Sequence, residues 1–256
     1  MTASTMEQKI LALLAKAEGT DNEHERDAFT KKAQALMLKH GVDEAVARAR
    51  AAAKGEQVTE QIITLVVPMK TRYARGLMSV GFAVTQTMPG LRGYKTQKHN
   101  SEEGFLYVVG FETDVKHAVQ LIESLKMQAM AASVRWAKSQ AGQEEIKMQA
   151  AWTGKTIARE TWKGRRNFIT YFASGVRERI QEVWGEVKRD AGASTEVAIR
   201  DRQSQVDAWL DSKVKLVQTK GHRSSQSGAA AGRAAGRQAD VGGRGVAGGG
   251  RSALGR

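Results

Sequence analysis

The sequence contains no cysteine, and this absence excludes disulfide scaffolds, thiolate zinc sites and cysteine nucleophiles. Only carboxylate and imidazole groups are therefore left as ligands for a metal. No apolar run approaches the roughly 20 residues that a membrane-spanning helix needs, and Met1–Lys9 lacks the basic and apolar stretches of a secretion signal. We therefore expect a cytoplasmic protein that has no membrane partner.

Motifs for cofactor and metal chemistry are also lacking. The five histidines form neither His-Glu-x-x-His nor a close helical pair, which excludes a helical zinc-protease site. The segment Gly154–Thr156 matches the end of a phosphate-binding loop, but Gln149 stands where that loop needs glycine and no predicted strand precedes it. The acid pairs Glu102–Glu103 and Glu144–Glu145 lie in polar segments typical of solvated loops. We therefore expect no cofactor, no metal and no catalytic group, while a site assembled from distant residues stays open.

Positive charge, by contrast, is in excess. The 256 residues include 40 Lys plus Arg against 27 Asp plus Glu, which gives a net charge of +13. Residues 1–58 are electrically neutral, so the whole excess lies in the rest of the chain. Such a distribution is typical of proteins that bind polyanions, because each neutralised phosphate releases counterions. A basic surface that contacts only solvent is the alternative.

Residues 1–57 are predicted to be helical. Ile10 and Leu14 share one face of a first helix, which Gly19 ends, and the acidic segment Asp21–Asp27 opens a second helix. The pattern indicates a helical hairpin followed by a short linker helix. Because the acidic turn would repel phosphate, a packing or partner-binding hairpin is favoured over a DNA-reading helix-turn-helix.

Residues 58–220 are predicted to form an α+β core in a mostly helical protein. The apolar periodicity predicts a strand, a helix, two strands of a hairpin and a helix, over Val58–Val67, Arg72–Met88, Leu91–His99, Phe105–Glu112 and a segment that Thr113 and Asp114 cap. Pro68 is expected to end the first strand. Such a unit forms a small three-stranded sheet with helices packed on one face. After a polar stretch over Lys138–Lys155, we expect a long helix over Ile157–Arg189 and a short one over Gln205–Val214.

The last segment, residues 221–256, is a cationic tail rich in glycine and alanine. Its composition is typical of a flexible segment. Gly228, Gly232 and Gly236 nevertheless recur every four residues, so that a helix over this segment would have one smooth face for a neighbouring backbone. A disordered tail and a docked helix are both open at this point.

Three basic features are candidates for phosphate contacts: one face of the strand Leu91–His99, a stripe on the long helix, and the tail. The candidate nucleic-acid-binding residues in these features are Arg92, Tyr94, Lys98, Arg159, Lys163, Arg165, Arg166, Arg233, Arg237 and Arg244. On the strand, a tyrosine ring between basic residues offers stacking beside phosphate contacts. On the helix, spacings of four and three place the charges on one face, where they follow a phosphate backbone or merely contact solvent.

The segment Ile10–Val42 resembles the family named domain of unknown function 2786. The resemblance rests on Leu13–Ala17, Asn22 with Glu25, Lys32–Met37 and Gly41. Two later stretches, Val108–Val119 and Arg165–Val176, resemble the uncharacterised domain that often follows it. Stretches that start at Val197 and Ala230 resemble the carboxyl-terminal part of members carried by phages and mobile elements. The resemblance implies a phage or plasmid context, and it brings no known activity or catalytic residue.

Together these patterns predict a noncatalytic phage or mobile-element protein that binds DNA or RNA in the host cytoplasm through its basic surfaces. The alternative is an interaction module that engages a host or phage protein. That module would use the amino-terminal hairpin and the small-residue face over Gly228–Gly236.

Overall fold

The computed structural model describes residues 61–96, 103–191, 193–217, 226–239 and 241, and in the amino-terminal part only Lys9, Ala12, Leu13, Lys16 and Glu25. These last five are helical. The remainder of the predicted hairpin and linker helix lies outside the described residues. All described residues from 61 onward belong to one compact unit, Gly41–Val241.

Three strands and six helices make up this described part. In chain order they are β1 (Ile62–Lys70), α1 (Ala74–Thr85), β2 (Leu91–Thr96), β3 (Glu103–Phe111), α2 (Glu112–Lys138), α3 (Gln140–Thr153), α4 (Ile157–Ala191), α5 (Ala193–Lys213) and α6 (Ala229–Arg237). The predicted class, a mostly helical α+β fold with a small three-stranded sheet, is confirmed. No helix in these segments is long and apolar enough to cross a membrane.

The sheet is antiparallel, with the strand order β1-β3-β2. In its middle row Val66, Tyr107 and Tyr94 lie side by side. Because side chains alternate along a strand, β3 points Leu106 and Val108 into the main core and Phe105 and Tyr107 to the opposite side. We call these the inner and the outer face of the sheet.

Helices α1 and α2 pack on the inner face, and α4 packs against α1. Gly81 allows α1 to approach the sheet, because a Cβ at this position would lie only 2.1 Å from Leu106 Cδ2. Buried Phe168 and Phe172 project from α4 into the same core. Full burial of each large apolar side chain contributes about 1.5–3 kcal/mol. The apolar stripes predicted on α1, α2 and α4 are thus the contacts that hold this core.

The first strand differs from the prediction, because β1 continues through Pro68 to Lys70. Among the described strands β1 pairs only with β3 and is therefore an edge strand, where a residue without an N–H is tolerated. The second strand, β2, ends at Thr96, and β3 begins at Glu103, two residues before the predicted start. The predicted order of strands and helices is confirmed.

Helix boundaries were less well predicted. Helix α2 begins at Glu112, so the predicted caps Thr113 and Asp114 lie inside its first turn. The predicted polar stretch Lys138–Lys155 is mostly helix α3. Ser139 caps α3 by accepting a hydrogen bond from the Gly142 N–H at 3.2 Å. Few apolar residues point inward from α3, and this made its helical period hard to detect.

Helix α5 is longer than predicted, because it spans Ala193–Lys213 instead of Gln205–Val214. Val206 and Leu210 of α5 pack against Val109 and Phe111 of β3. These two β3 residues belong to the outer face. The prediction that helices pack on only one face of the sheet is therefore wrong at the end that holds Val109 and Phe111, where α5 packs on the outer face.

Helix α6 packs along α4 through its glycines. A Cβ on Gly232 would lie 2.3 Å from the carbonyl oxygen of Phe168, and a Cβ on Gly175 of α4 would lie 2.1 Å from that of Arg233. Each helix therefore needs glycine where the other backbone passes. Of the two alternatives for this segment, the docked helix is the one the structure contains over Ala229–Arg237.

Candidate nucleic-acid interface

Four arginines converge where the start of α1 packs against α4. This arginine cluster consists of Arg72, Arg75, Arg165 and Arg166. The helices can approach because Gly76 has no side chain: a Cβ there would lie 3.2 Å from the carbonyl oxygen of Arg166 and 3.1 Å from Ile169 Cγ2. The helix contact thus brings together two arginine pairs that are far apart in the sequence.

Two aromatic rings hold three of the four guanidinium groups in place. The Cζ atoms of Arg72 and Arg166 lie 5.4 and 5.1 Å from the centroid of the Trp162 ring. The Cζ atom of Arg165 lies 4.7 Å from the centroid of the Tyr73 ring. A cation–π contact orients a guanidinium without neutralising it. Three of the four positive charges are therefore held against a ring and retained.

Carboxylates do not balance these charges within the described part of the chain, where none of the four arginines has a salt bridge. The pKa of Arg166 lies below the ordinary arginine value, first because the group is partly buried and then because of the charge on Arg75. Arg72 and Arg75 are exposed. Like charges held together repel one another, so a bound anion would stabilise the cluster.

The four candidates predicted on the long helix fall into two groups. Arg165 and Arg166 belong to the arginine cluster. Arg159 is exposed, and it has no ion pair with any residue that the structure describes. Lys163 Nζ lies 3.6 Å from Oε2 of Glu160, a carboxylate that is buried, and its charge is therefore largely compensated.

The strand candidates lie on the outer face, as the alternation predicts for Arg92 and Tyr94. Arg92 forms a bidentate pair with Asp207 of α5, through Nε to Oδ1 at 2.6 Å and Nη2 to Oδ2 at 2.8 Å. The ring of Tyr94 stacks on that of Tyr107, with centroids 4.6 Å apart and planes 2° from parallel. Lys98 lies outside the described residues. Asp207 thus neutralises the one described cation among the strand candidates.

The tail candidates contact α4. Arg233 Nε donates to Oε1 of Glu178 at 2.7 Å, and Arg237 Nε donates to Oε2 of the same carboxylate. These hydrogen bonds hold the pKa of Glu178 below its usual value. One carboxylate compensates one of the two arginines, so this pair retains a single net charge. Arg244 lies outside the described residues.

The small-residue face over Gly228–Gly236 was also a candidate surface for a protein partner. In the structure this face is buried against α4 within the same molecule, at Phe168 and Phe172. The face is therefore already occupied, and that part of the interaction hypothesis is corrected.

Arg72 and Arg75 were not among the predicted site residues. The local sequence does contain one indication of Arg75. This residue lies in the first turn of α1, which has no acidic residue and where the helix dipole disfavours a cation. Such a conflict between a residue and its local structure often marks a functional site. Their proximity to α4, however, depends on a tertiary contact that no sequence pattern indicates.

Enzymatic and metal chemistry gain no support from the described residues. Among them no three carboxylate or imidazole groups come together as metal ligands would. The segment Gly154–Thr156 connects α3 to α4, and Gly154 ends α3 with a φ of +65°. It therefore follows a helix, whereas a phosphate-binding loop follows a strand.

Comparison with known families supports the resemblance found at the amino terminus. Residues 6–44 match a family model described as "Protein of unknown function (DUF2786)". The resemblance of Ile10–Val42 to this family is thereby confirmed, and the phage or mobile-element context stays a prediction. No curated protein and no solved structure matches the chain.

Proposed function

We propose that this protein binds nucleic acid and that the arginine cluster is its main phosphate-binding site. The observation that carries the proposal is the gathering of three guanidinium groups on Trp162 and Tyr73, with Arg75 beside Arg166 and no carboxylate partner in the described chain. Guanidinium groups match phosphate oxygens bidentately, and they keep their charge at any physiological pH. An anion of several phosphates fits four such groups better than a single phosphate does.

The wider charge distribution favours a polyanion as the ligand. The chain carries a net charge of +13, and its neutral part is the amino-terminal segment 1–58. Arg159 lies two helical turns before Arg166 on α4 and is exposed, so it extends the positive surface along the same side of that helix. Phosphate contacts of this kind position a protein on nucleic acid without reading its sequence.

The test is a binding titration of the full chain with DNA and RNA oligonucleotides at rising salt. We expect the triple variant Arg72→Ala, Arg75→Ala, Arg166→Ala to bind more weakly. Its slope of log K against log salt should be smaller by roughly 2 to 3, since each lost phosphate contact removes about 0.9 from the slope on duplex DNA. Arg165 is left in place because its Nε also donates to Ser133 Oγ at 3.3 Å.

A matched control removes the same charge elsewhere. The triple variant Lys138→Ala, Lys147→Ala, Lys213→Ala changes three exposed cations outside the arginine cluster. It should keep most of the wild-type affinity at moderate salt. An equal loss in both triple variants would show that net charge alone matters. Wild-type protein that fails to bind at low salt, or binds without regard to salt, would overturn the proposed function.

A further inference from the structure

The outer face of the sheet carries three aromatic side chains, and α5 covers only part of this face. Phe105 and Tyr107 on β3 are half-buried, and Val66 of β1 beside them is 46% exposed. Val206 and Leu210 of α5 cover the other end of the face at Val109 and Phe111, and Tyr94 of β2 packs against that apolar cluster. Open sheet faces are usually polar, and a contiguous exposed apolar surface marks a binding site.

We infer that this uncovered part of the outer face binds unpaired bases of single-stranded nucleic acid, which deepens the proposed function and rests on it. Aromatic side chains on an open antiparallel sheet stack with bases, and every base has a ring face to offer. A stacking surface suits single strands, because the bases of a duplex are already stacked on one another. The residues that form this aromatic platform are Val66, Phe105 and Tyr107, and Tyr94 supports Tyr107 from the side that α5 covers.

The central strand β3 matches several positions of the pattern known for such sheets. That pattern has glycine, an aromatic residue, a small residue, a second aromatic residue and valine in succession after a basic residue. Gly104, Phe105, Tyr107 and Val108 agree with it, whereas Leu106 replaces the small residue and Gly110 stands where the pattern has a third aromatic residue, two positions after the valine. The basic position holds an acid, Glu103, so the phosphate contacts must come from another part of the surface.

Arg72 of the arginine cluster lies near the same end of the sheet and can supply such a contact. Phe105 pairs with Pro68 near the end of β1, and Arg72 follows only two residues after the last residue of that strand, Lys70. The rest of the cluster lies on the inner side, where α1 packs against α4, so a single strand that stacks on the platform would reach it by passing around this end of the sheet. Complementary charge beside exposed rings is the arrangement that nonspecific single-strand binders use.

The platform has room for few bases. Tyr94 stacks on Tyr107 and packs against the cluster that α5 covers, so only Tyr107 of this pair keeps a ring face for a base. Phe105 is the second ring of the platform. We therefore expect one or two bases to be bound by stacking, and the rest of a longer strand to contribute through its phosphates.

The experiment compares single-stranded oligothymidylate and oligouridylate with a duplex of equal length, by fluorescence anisotropy on the full chain. Wild-type protein should prefer the single strands. Tyr107→Leu keeps apolar bulk and removes the ring, so it should weaken single-strand binding about tenfold or more and leave duplex binding unchanged. Tyr107→Phe is the control, because it retains the ring and should retain the affinity.

A second variant, Phe105→Leu, makes the same test if Tyr107→Leu does not fold. Circular dichroism shows which variants keep the wild-type helix content, and only those are compared. Equal binding of single strands and duplex, with no loss in either leucine variant, would overturn the aromatic platform and leave the arginine cluster standing. A dimer in sedimentation that the leucine variants disrupt would also overturn it, since the face would then bind a second copy. Failure of the arginine variants to affect any binding would instead refute the proposed function.

Discussion

Gly236 of α6 lies directly against Phe172 of α4: a Cβ on Gly236 would lie 2.1 Å from the Phe172 carbonyl oxygen. A backbone carbonyl held in a helix cannot move aside as a flexible side chain can. The contact therefore excludes every side chain at this position as long as α6 stays docked.

The variant Gly236→Ala tests this contact. In an unobstructed helix the change stabilises by about 1 kcal/mol. Here we expect a net destabilisation of about 1–3 kcal/mol, because overpacking outweighs the gain in helix propensity. Urea unfolding of the two proteins gives the difference in the free energy of unfolding. A more stable variant would show that α6 is not packed as described.

Glu178 should make the docking of α6 depend on pH. Its two arginine hydrogen bonds lower its pKa below the usual 4.5 in the folded protein. The stabilisation by these hydrogen bonds is therefore present at neutral pH. It is lost as the pH falls below the usual pKa of glutamate and through the lowered pKa of Glu178 in the folded protein. Glu178→Gln should destabilise the protein at pH 7, and the difference from wild type should vanish in acid.

The control for this change is Glu182→Gln, which removes a charge from the same helix. Glu182 is exposed and pairs with Arg179 at 3.3 Å, one turn away. Exposed pairs of this kind contribute little, so its unfolding free energy should stay within about 1 kcal/mol of wild type at every pH. Equal behaviour of the two variants would contradict a specific role for Glu178.

Asp114 anchors α5 to the start of α2. It accepts a hydrogen bond from Arg202 Nη2 at 2.8 Å, and the two side chains are only 11% and 13% exposed. Asp114→Ala removes the carboxylate from this largely buried pair, so it should cost about 3 kcal/mol in unfolding free energy. Asp211→Ala, at an exposed position of α5, should cost about 0.5 kcal/mol or less. Similar losses in both would contradict the anchoring role.

Tyr94 should ionise at higher pH than an ordinary tyrosine. Burial raises its pKa above 10.0, and the neighbouring Tyr107 raises it further. The stabilisation by neutral Tyr94 is thus complete below pH 10 and is lost as the pH rises through the raised pKa. Absorbance titration should show this late transition. It should disappear in Tyr94→Phe and move to lower pH in Tyr107→Phe, and a titration unchanged by either variant would argue against the stacked pair.

Local periodicity was enough to predict much of the fold. The stripe that includes Leu77 and Val84 buries one face of α1, and a pattern of period 3.6 reports that burial directly. Helix α3 was missed because Ile146 and Ala150 are its main buried apolar residues, too few for a clear stripe.

The site was harder to predict than the fold because charge compensation depends on distant residues. Arg92 looked available on its strand, yet Asp207 neutralises it from 115 positions away. Arg165 and Arg166 were predicted as basic residues on a helix. Their grouping with Arg72 comes from the packing of α1 on α4, which involves Gly76 and has no counterpart in the local sequence.

Among the described strands β1 leaves one edge of the sheet open, and this edge has a consequence for association. An incoming strand could extend the sheet there only by pairing with the free backbone groups of β1. Pro68 lacks one N–H donor, and Lys70 places an ammonium group at the end of the strand. Both features interrupt continuous strand addition. Pro68, which was predicted to end β1, therefore disfavours edge-to-edge aggregation from within that strand.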